Sequence, residues 1–352
     1  MFLNGFGTAV PGHRYRQSDC WAALQGTPDL DRLAPRSQAL LRKVLLGANG
    51  IETRHLALNS LAEAFRLDPD TLHERFLRHA PDLATTAARR ALEDARISAE
   101  DVDALLVATC TGYLCPGLTS HVSERLGLRN SVEFLDLVGL GCGAAIPTLR
   151  TAANWLAGGT TRTVLSVCVE VSSAAMYLDD DPGVLISACL FGDGAAAVVS
   201  AARPVDHRRR VQWRHAASRL HPEARSALCF EPRGGCLRNI LTPAVPSLAA
   251  THVGHLADSM FHQAGIHQLD IREWILHPGG RDVLVALRDR LGLEEASLRH
   301  SAAVLRDFGN LSSPCVLFAL RDALANGAPG GWWWLSSFGA GFSCHGALLE
   351  VS

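Results

Sequence analysis

At 352 residues, with 48% hydrophobic and 19% charged residues and a net charge of -2, the chain has the make-up of a globular protein with a large buried core. The near-neutral balance gives no support for a nucleic-acid or membrane-surface partner recognised by bulk charge. Ten cysteines contain no CxxC pair and no zinc-like Cys/His spacing, so no metal site is expected, and several sit in apolar runs as reduced thiols would. No stretch approaches 18 uninterrupted apolar residues, and the N-terminus lacks the charged and apolar regions of a secretory signal. The expectation is a soluble, cytoplasmic protein with no membrane span.

The N-terminus reads as a strand that turns at Pro11-Gly12. Residues 33–46 predict a helix, with Pro35 in its first turn and Gly47 as its stop. Between Arg32 and Arg54 five basic residues (Arg32, Arg36, Arg42, Lys43, Arg54) face one acid, Glu52, a local excess that could meet a phosphate. Residues 81–96 predict an amphipathic helix and 103–109 a buried strand, followed by the loop CTGYLCPG. A helix at 119–127 leads to a strand at 132–138, and TRTVLSVCVEV (161–171) is a further apolar strand. Alternating strands and helices point to an α/β layered fold with buried strands. Phe191-Gly192-Asp193-Gly194 before AAAVVS reads as a hairpin turn, and the Pro204-containing basic stretch at 201–212 as the boundary between halves.

The organising feature is DLVGLGCGAAIPTLRTAANWL (136–156), in which Cys142 stands between glycines where a strand gives way to a helix. Free N–H groups and the positive end of a helix dipole at that position favour the reactive thiolate. The second half repeats the order of the first. EWILHPGG (273–280) matches DALLVATCTG, and RDFGNLSSPCVLFALRDAL (306–324) sets Gly309-Asn310 at a turn before a helix. GGWWWLSSFGAG (330–341) matches 161–171, and GALLEVS matches AAAVVS. Two duplicated β/α halves, 1–205 with the nucleophile and 206–352 with a histidine and an asparagine, would bring Cys142 and Asn310 together across an internal axis.

His277 and Asn310 complete a plausible chemistry. A histidine can pair with a cysteine as a thiolate–imidazolium couple, and His Nε2–H and an Asn amide can both donate to an oxyanion on a thioester carbonyl. Two neutral donors beside a thiolate suit the loss of CO2 from a malonyl thioester better than hydrolysis.

GLGCGAA around Cys142, WILHPGG around His277 and DFGNLSSP around Asn310 resemble the three motifs of type III polyketide synthases, the chalcone and stilbene synthase family. FGDGAAA (191–197) and the ending SFGAGFSCHGALLEVS fit the same family, and the resemblance runs through nearly the whole chain. It implies a five-layered αβαβα thiolase-like fold, a homodimer, and an acyltransferase that uses CoA thioesters as substrates and needs no cofactor. It implies Cys142 as the nucleophile that accepts an acyl-CoA starter, with His277 and Asn310 serving decarboxylative condensation with malonyl-CoA and oxyanion stabilisation. By the same resemblance, Phe191 is a gatekeeper between the CoA tunnel and the reaction cavity. Cys110 lines the cavity, Cys115-Pro116 reaches the other subunit's cavity, and the region of Arg42 and Lys43 contacts CoA phosphates.

Two departures touch the cavity. Ser337-Phe338-Gly339-Ala340-Gly341 stands where plant members carry GFGPG, and 237–246 is shorter than in plant enzymes and lacks their second gatekeeper phenylalanine. A less obstructed tunnel fits a fatty acyl starter and an alkylpyrone or alkylresorcinol product. The alternatives are a single-condensation ketoacyl synthase III-like enzyme and an inactive scaffolding homologue.

Overall fold

The computed structural model describes residues 1–352. In the N-terminal half the chain forms β1 (Phe2–Ala9), β2 (Arg14–Arg16), α1 (Gln17–Leu24), α2 (Pro28–Asp31), α3 (Pro35–Leu46) and β3 (Thr53–His55). There follow α4 (Pro69–Ala95), β4 (Ala104–Ala108), α5 (Leu118–Leu126), β5 (Glu133–Leu137), α6 (Ala145–Ala157), β6 (Thr163–Val171), α7 (Pro182–Leu190) and β7 (Asp193–Ala201). The second half contains β8 (Val211–Leu220), β9 (Leu228–Arg233), β10 (Cys236–Leu241), α8 (Val245–Ala264), β11 (Ile271–Leu276) and α9 (Arg281–Leu291). It ends with α10 (Arg299–Phe308), α11 (Cys315–Ala325), β12 (Gly331–Gly339) and β13 (Ser343–Val351). No helix is long and apolar enough to cross a membrane.

Nine strands share one sheet in the order β11-β12-β13-β8-β1-β7-β6-β4-β5. From the centre outward, β1-β7-β6-β4 pair antiparallel, antiparallel and parallel, and β8-β13-β12-β11 repeat that series. The two series touch through one residue pair of the ladder, Phe2 with Gln212, so each behaves as a sheet with its own faces.

Those faces create five layers. Helices α6 and α11 are buried between the two series, where Ile146, Leu149, Val316 and Leu320 pack with Leu3, Val198, Trp333 and Leu349. The outer face of the first series is covered by α4, with Phe76, Ala84 and Ala91 against Leu105, Val167 and Val199. That of the second is covered by α8 and α9, with Val253, Phe261 and Leu287 against Trp274, Trp334 and Leu348. An α/β protein of alternating strands and helices buries both faces of its sheets in this way. The α4 contact is close enough to need glycine: a Cβ on Gly7 would stand 2.0 Å from the Ala87 carbonyl oxygen.

Three local expectations change. Helix α4 starts at Pro69, capped by the Asp68 side chain, and runs through Pro81. Pro81 removes a helix hydrogen bond, but the buried face continues unbroken from Leu72 and Phe76 to Ala80 and Ala84, so packing overrides the break. The Phe191–Gly194 stretch is no hairpin, since it connects α7 to β7, which pairs with β1 and β6. Asp193 is fully buried and accepts from the Ala57 and Ser173 amides and the Ser173 hydroxyl at 2.6, 2.8 and 2.5 Å. The Asp-Gly signal thus marks a buried anchor. Finally, α7, α8 and α9 lie where no helix was expected.

Candidate active site

Cys142 occupies the middle of a one-turn 3-10 helix, Gly141–Gly143, just ahead of α6. Gly139 and Gly141 hold the turn with φ of +82° and +53°, a region that favours glycine. The second half supports this turn from below. Ser337 Oγ donates to the Gly143 carbonyl at 3.0 Å, and a Cβ on Gly339 would stand 2.3 Å from the Leu140 oxygen. The SFGAG segment is therefore the bed on which the nucleophile loop lies.

Asn310 approaches from the other half. Its backbone is bridged to the segment around Phe191, with Asn310 N–H donating to the Leu190 carbonyl and Gly192 N–H to the Asn310 carbonyl, both at 2.9 Å. Its side-chain oxygen accepts from Ser312 N–H at 2.8 Å, and its amide nitrogen donates to the Gly279 carbonyl at 3.2 Å. The expected position at a helix start is not found: α11 begins at Cys315, and Asn310 organises its own turn instead. The bond to Gly279 ties it to the loop that follows His277.

His277 leaves β11 with its N–H on the Ser336 carbonyl at 2.9 Å, and its ring meets Phe338 edge-on at 5.2 Å. Cys142, His277 and Asn310 are 7%, 1% and 2% exposed. Burial dominates their protonation. The Cys142 thiol is pushed up to about 12, against the lowering influence of the Ser312 hydroxyl, its own backbone N–H and the Asn310 amide. His277 is pushed down to about 3 by desolvation. Neither ring nitrogen of His277 has a hydrogen-bond partner. Loss of water at both groups thus opposes the charged thiolate–imidazolium couple that the sequence suggests, against the favourable end of one helix.

This has a consequence for acid stability. Unfolded, His277 takes a proton near pH 6.5; folded, it resists one until about 3. Below pH 6.5 the unfolded chain binds a proton that the folded chain refuses, so stability falls between pH 6.5 and about 3 and is unaffected above. Denaturant midpoints of wild type and His277→Gln should therefore diverge as pH drops, the variant losing about 2 kcal/mol less between pH 7.5 and 5. Parallel curves would contradict this.

Cys142 opens into a mainly apolar cavity of about 660 Å³, whose lining includes Cys110, Phe191, Met176, Phe230 and Ser312. Phe191 and Cys110 are thus cavity residues. An aromatic ring also reaches the cavity from Phe230 on β9, outside the 237–246 stretch. Behind Cys110 lies a residue the sequence reading passed over. Glu170 is fully buried and accepts from Cys110 N–H at 3.0 Å, Thr111 Oγ1 at 2.9 Å and Ser313 Oγ at 2.6 Å. Both of its oxygens lie 3.4 Å from Cys110 Sγ. Burial raises the Glu170 pKa, and the Cys110 thiol, itself buried beside that carboxyl, is raised further. A lone carboxylate inside TRTVLSVCVEV was the available signal.

The remaining expected residues lie elsewhere. Cys115 is exposed, and Arg42 and Lys43 stand on the open face of α3. The basic excess around them is smaller than it looked. Arg54 is buried, donating to Gln17 Oε1 and to the Ala188 and Phe191 carbonyls, and Arg32 pairs with Asp29. No cluster of three or more metal-ligating side chains forms.

Comparison with known proteins agrees with this geometry. Residues 37–226 match the model of FAE1/type III polyketide synthase-like proteins, and residues 212–351 that of the C-terminal domain of chalcone and stilbene synthases. The chain is 34% identical over 349 residues to 1,3,6,8-tetrahydroxynaphthalene synthase of Streptomyces peucetius subsp. caesius, covering 97% of this chain and 91% of that protein. It is 30% identical over 358 residues to 3,5-dihydroxyphenylacetyl-CoA synthase of Streptomyces toyocaensis, covering 98% and 89%. It is 27% identical over 372 residues to the alpha-pyrone synthesis polyketide synthase-like Pks18 of Mycobacterium tuberculosis, covering 99% and 91%. Among solved structures, PKS-I of the brown alga Ectocarpus siliculosus superposes with a TM-score of 0.90 at 26% identity, over 99% of this chain and 97% of that one. With Cys142 at the cavity, the Asn310 amide at its sulfur and Asn310 tied through Gly279 to the loop after His277, and with these matches, the chain belongs to the type III polyketide synthase family, acyltransferases of the thiolase-like αβαβα fold.

Proposed function

We propose that this enzyme loads an acyl-CoA starter on Cys142, extends it with malonyl-CoA by decarboxylative condensation and cyclises the product. The observation that carries this reading is the Cys142 thiol at a mainly apolar cavity, with Ser312 and Asn310 at its sulfur. Cys142 Sγ attacks the starter thioester carbonyl, the C–S bond to CoA breaks, and CoA leaves with the thiol proton. Malonyl-CoA then loses CO2, and the electron pair of the broken C–C bond becomes an enolate. Neutral His277 and the Asn310 amide are donors suited to its oxygen, since neither adds a charge that must be neutralised. The enolate carbon attacks the acyl group on Cys142, the sulfur departs, and the chain is returned to CoA two carbons longer.

For the starter we propose an aliphatic acyl group. A groove of about 1390 Å³ adjoins the reaction cavity, and Cys110, Thr111, Gly141, Cys229, Phe230 and Ala340 line both. Leu72, Phe76 and Leu237 make its lining apolar, and an alkyl chain gains from such burial at about 0.8 kcal/mol per methylene. Turnover with acyl-CoA starters of graded length tests this, with kcat/KM rising with chain length expected. Turnover of aromatic or very short starters alone would refute it. Arg42 and Lys43 we assign to CoA phosphates, from their exposure on α3. Ten unpaired cysteines, six of them buried, fit the reducing cytoplasm.

We also propose a homodimer built on β5. That strand ends the sheet, and it and its neighbours expose Phe134 (68%), Val138 (62%) and Tyr113 (72%), an apolar edge of the kind natural proteins cover. The exposed Cys115 loop lies two residues from Tyr113, where a partner's cavity would receive it. Phe134→Asp with Val138→Asp should convert a dimer to monomer in light-scattering chromatography; an unchanged dimer would place the interface elsewhere.

A further inference from the structure

The roof of the reaction cavity is the β9–β10 hairpin. Leu228, Cys229, Phe230 and Asn239 face the cavity, and Cys229, Phe230, Cys236 and Leu237 face the adjoining groove. These two strands pair only with each other, and an isolated hairpin is marginally stable by itself. Something must fix its height above Cys142.

Arg238, on β10, has the reach and the partners to do so. Its side chain is 11% exposed, with Nε 2.6 Å from Asp179 Oδ2, Nη1 3.1 Å from Glu231 Oε2 and Nη2 3.2 Å from Asp181 Oδ2. Glu231 belongs to the opposite hairpin strand. Asp181 is the cap of α7: its other oxygen accepts from Gly183 and Val184 N–H at 2.8 and 3.3 Å. The backbones of α7 and β10 also touch, since a Cβ on Gly183 would stand 2.2 Å from the Leu241 oxygen. Further along α7, and at its C-terminal cap, come Ser187, Ala188 and Phe191, which form the wall facing the hairpin. The Arg238 guanidinium therefore joins roof to wall, with the more exposed Arg233 of β9 a longer second link at 3.8 Å from Asp179 Oδ2, and Arg238 lines neither the cavity nor the groove.

We propose that Arg238 is a positioning residue that sets the width of the reaction cavity and thereby how many malonyl units are added before release, an inference that rests on the synthase reading above. Its planar fork can meet three carboxylates at once, which a lysine ammonium cannot. Without it, Asp179, Asp181 and Glu231 repel one another and the hairpin is free to lift. Cys142, His277 and Asn310 are left in place, so the chemistry of each step is intact while the room for the growing chain changes.

The test compares wild type, Arg238→Gln, Arg238→Lys and Asp179→Asn, with Arg290→Gln as a control that breaks an exposed ion pair between α9 and α8. Products from malonyl-CoA and an acyl-CoA starter are resolved by mass, alongside melting temperature and starter KM. Arg238→Gln should shift the ratio of products differing by one malonyl unit roughly tenfold, the scale at which pockets discriminate small size differences. Starter KM should rise while kcat for malonyl-CoA decarboxylation holds, and Arg238→Lys and Asp179→Asn should fall between. Arg290→Gln should keep the wild-type ratio. An unchanged product ratio and KM in folded Arg238→Gln, or in Asp179→Asn should the first fail to fold, overturns the proposal, as does a shift of equal size in Arg290→Gln. A wild type that makes no malonyl-derived product overturns the synthase reading itself.

Discussion

A Cys142→Ala, His277→Ala double variant should make no polyketide and release no CO2 from malonyl-CoA, a loss of at least ~10³-fold of the kind seen when groups that act as a unit are removed. The expectation follows from where the two side chains sit. Cys142 lines the cavity together with Gly141 and Ser312. Cys168 and Cys315 are buried in the middle layer, the Cys110 Sγ is held against the Glu170 carboxyl, and Cys229 lines the cavity from the β9–β10 hairpin rather than from a helix start. His277 has both ring nitrogens unpartnered in a buried site, and a buried polar group left without a partner costs about 1–3 kcal/mol. A residue held in that state is poised for a ligand. Losing its ring leaves the enolate oxygen one donor short. Decarboxylation followed as ¹⁴CO2 release, with melting temperature to confirm folding, checks the result. Turnover like that of wild type would remove both residues from the mechanism.

Asn310→Ala should lower kcat by ~10²–10³, the usual loss for one oxyanion donor. The asparagine has two tasks that a pair of variants separates. Its oxygen holds the Ser312 amide at 2.8 Å, and its NH2 points to the Gly279 carbonyl at 3.2 Å. Asn310→Asp keeps the acceptor for Ser312 and so keeps the turn, but it replaces the donor with a carboxylate that repels developing negative charge. If donation is the catalytic contribution, Asn310→Asp will be at least as slow as Asn310→Ala although it is the better folded of the two. If the turn alone matters, Asn310→Asp will recover most of the activity. Steady-state kcat and thermal melting of both variants decide between these.

Much of this was legible in the sequence because the signals were local. Gly-Cys-Gly between a strand and a helix, His-Pro-Gly-Gly after a buried strand, and the matched order of elements in the two halves each carry their meaning within a few residues. The repeated pairing series of β1-β7-β6-β4 and β8-β13-β12-β11 is that order made three-dimensional. What was missed depended on contacts far apart in the chain. Pro81 reads as a helix start until its burial against the sheet is known. Asp193 reads as a turn residue until its three donors from Ala57 and Ser173 are seen. Arg54 looked like a free cation but spends its donors on Gln17, Ala188 and Phe191. Protonation shows the same limit: the start of a helix favours a thiolate at Cys142, whereas burial pushes the thiol up to about 12. Desolvation is a property of everything packed around a group, and no single stretch of sequence reports it.

The most direct test of the central claim is the mass of what the purified enzyme makes from malonyl-CoA and a panel of acyl-CoA starters, with no other protein present. The account predicts cyclised products that carry the starter plus two or more malonyl-derived units, formed from free CoA thioesters and lost in Cys142→Ala. Products with one extender unit only, or strict dependence on an acyl carrier protein, would contradict it.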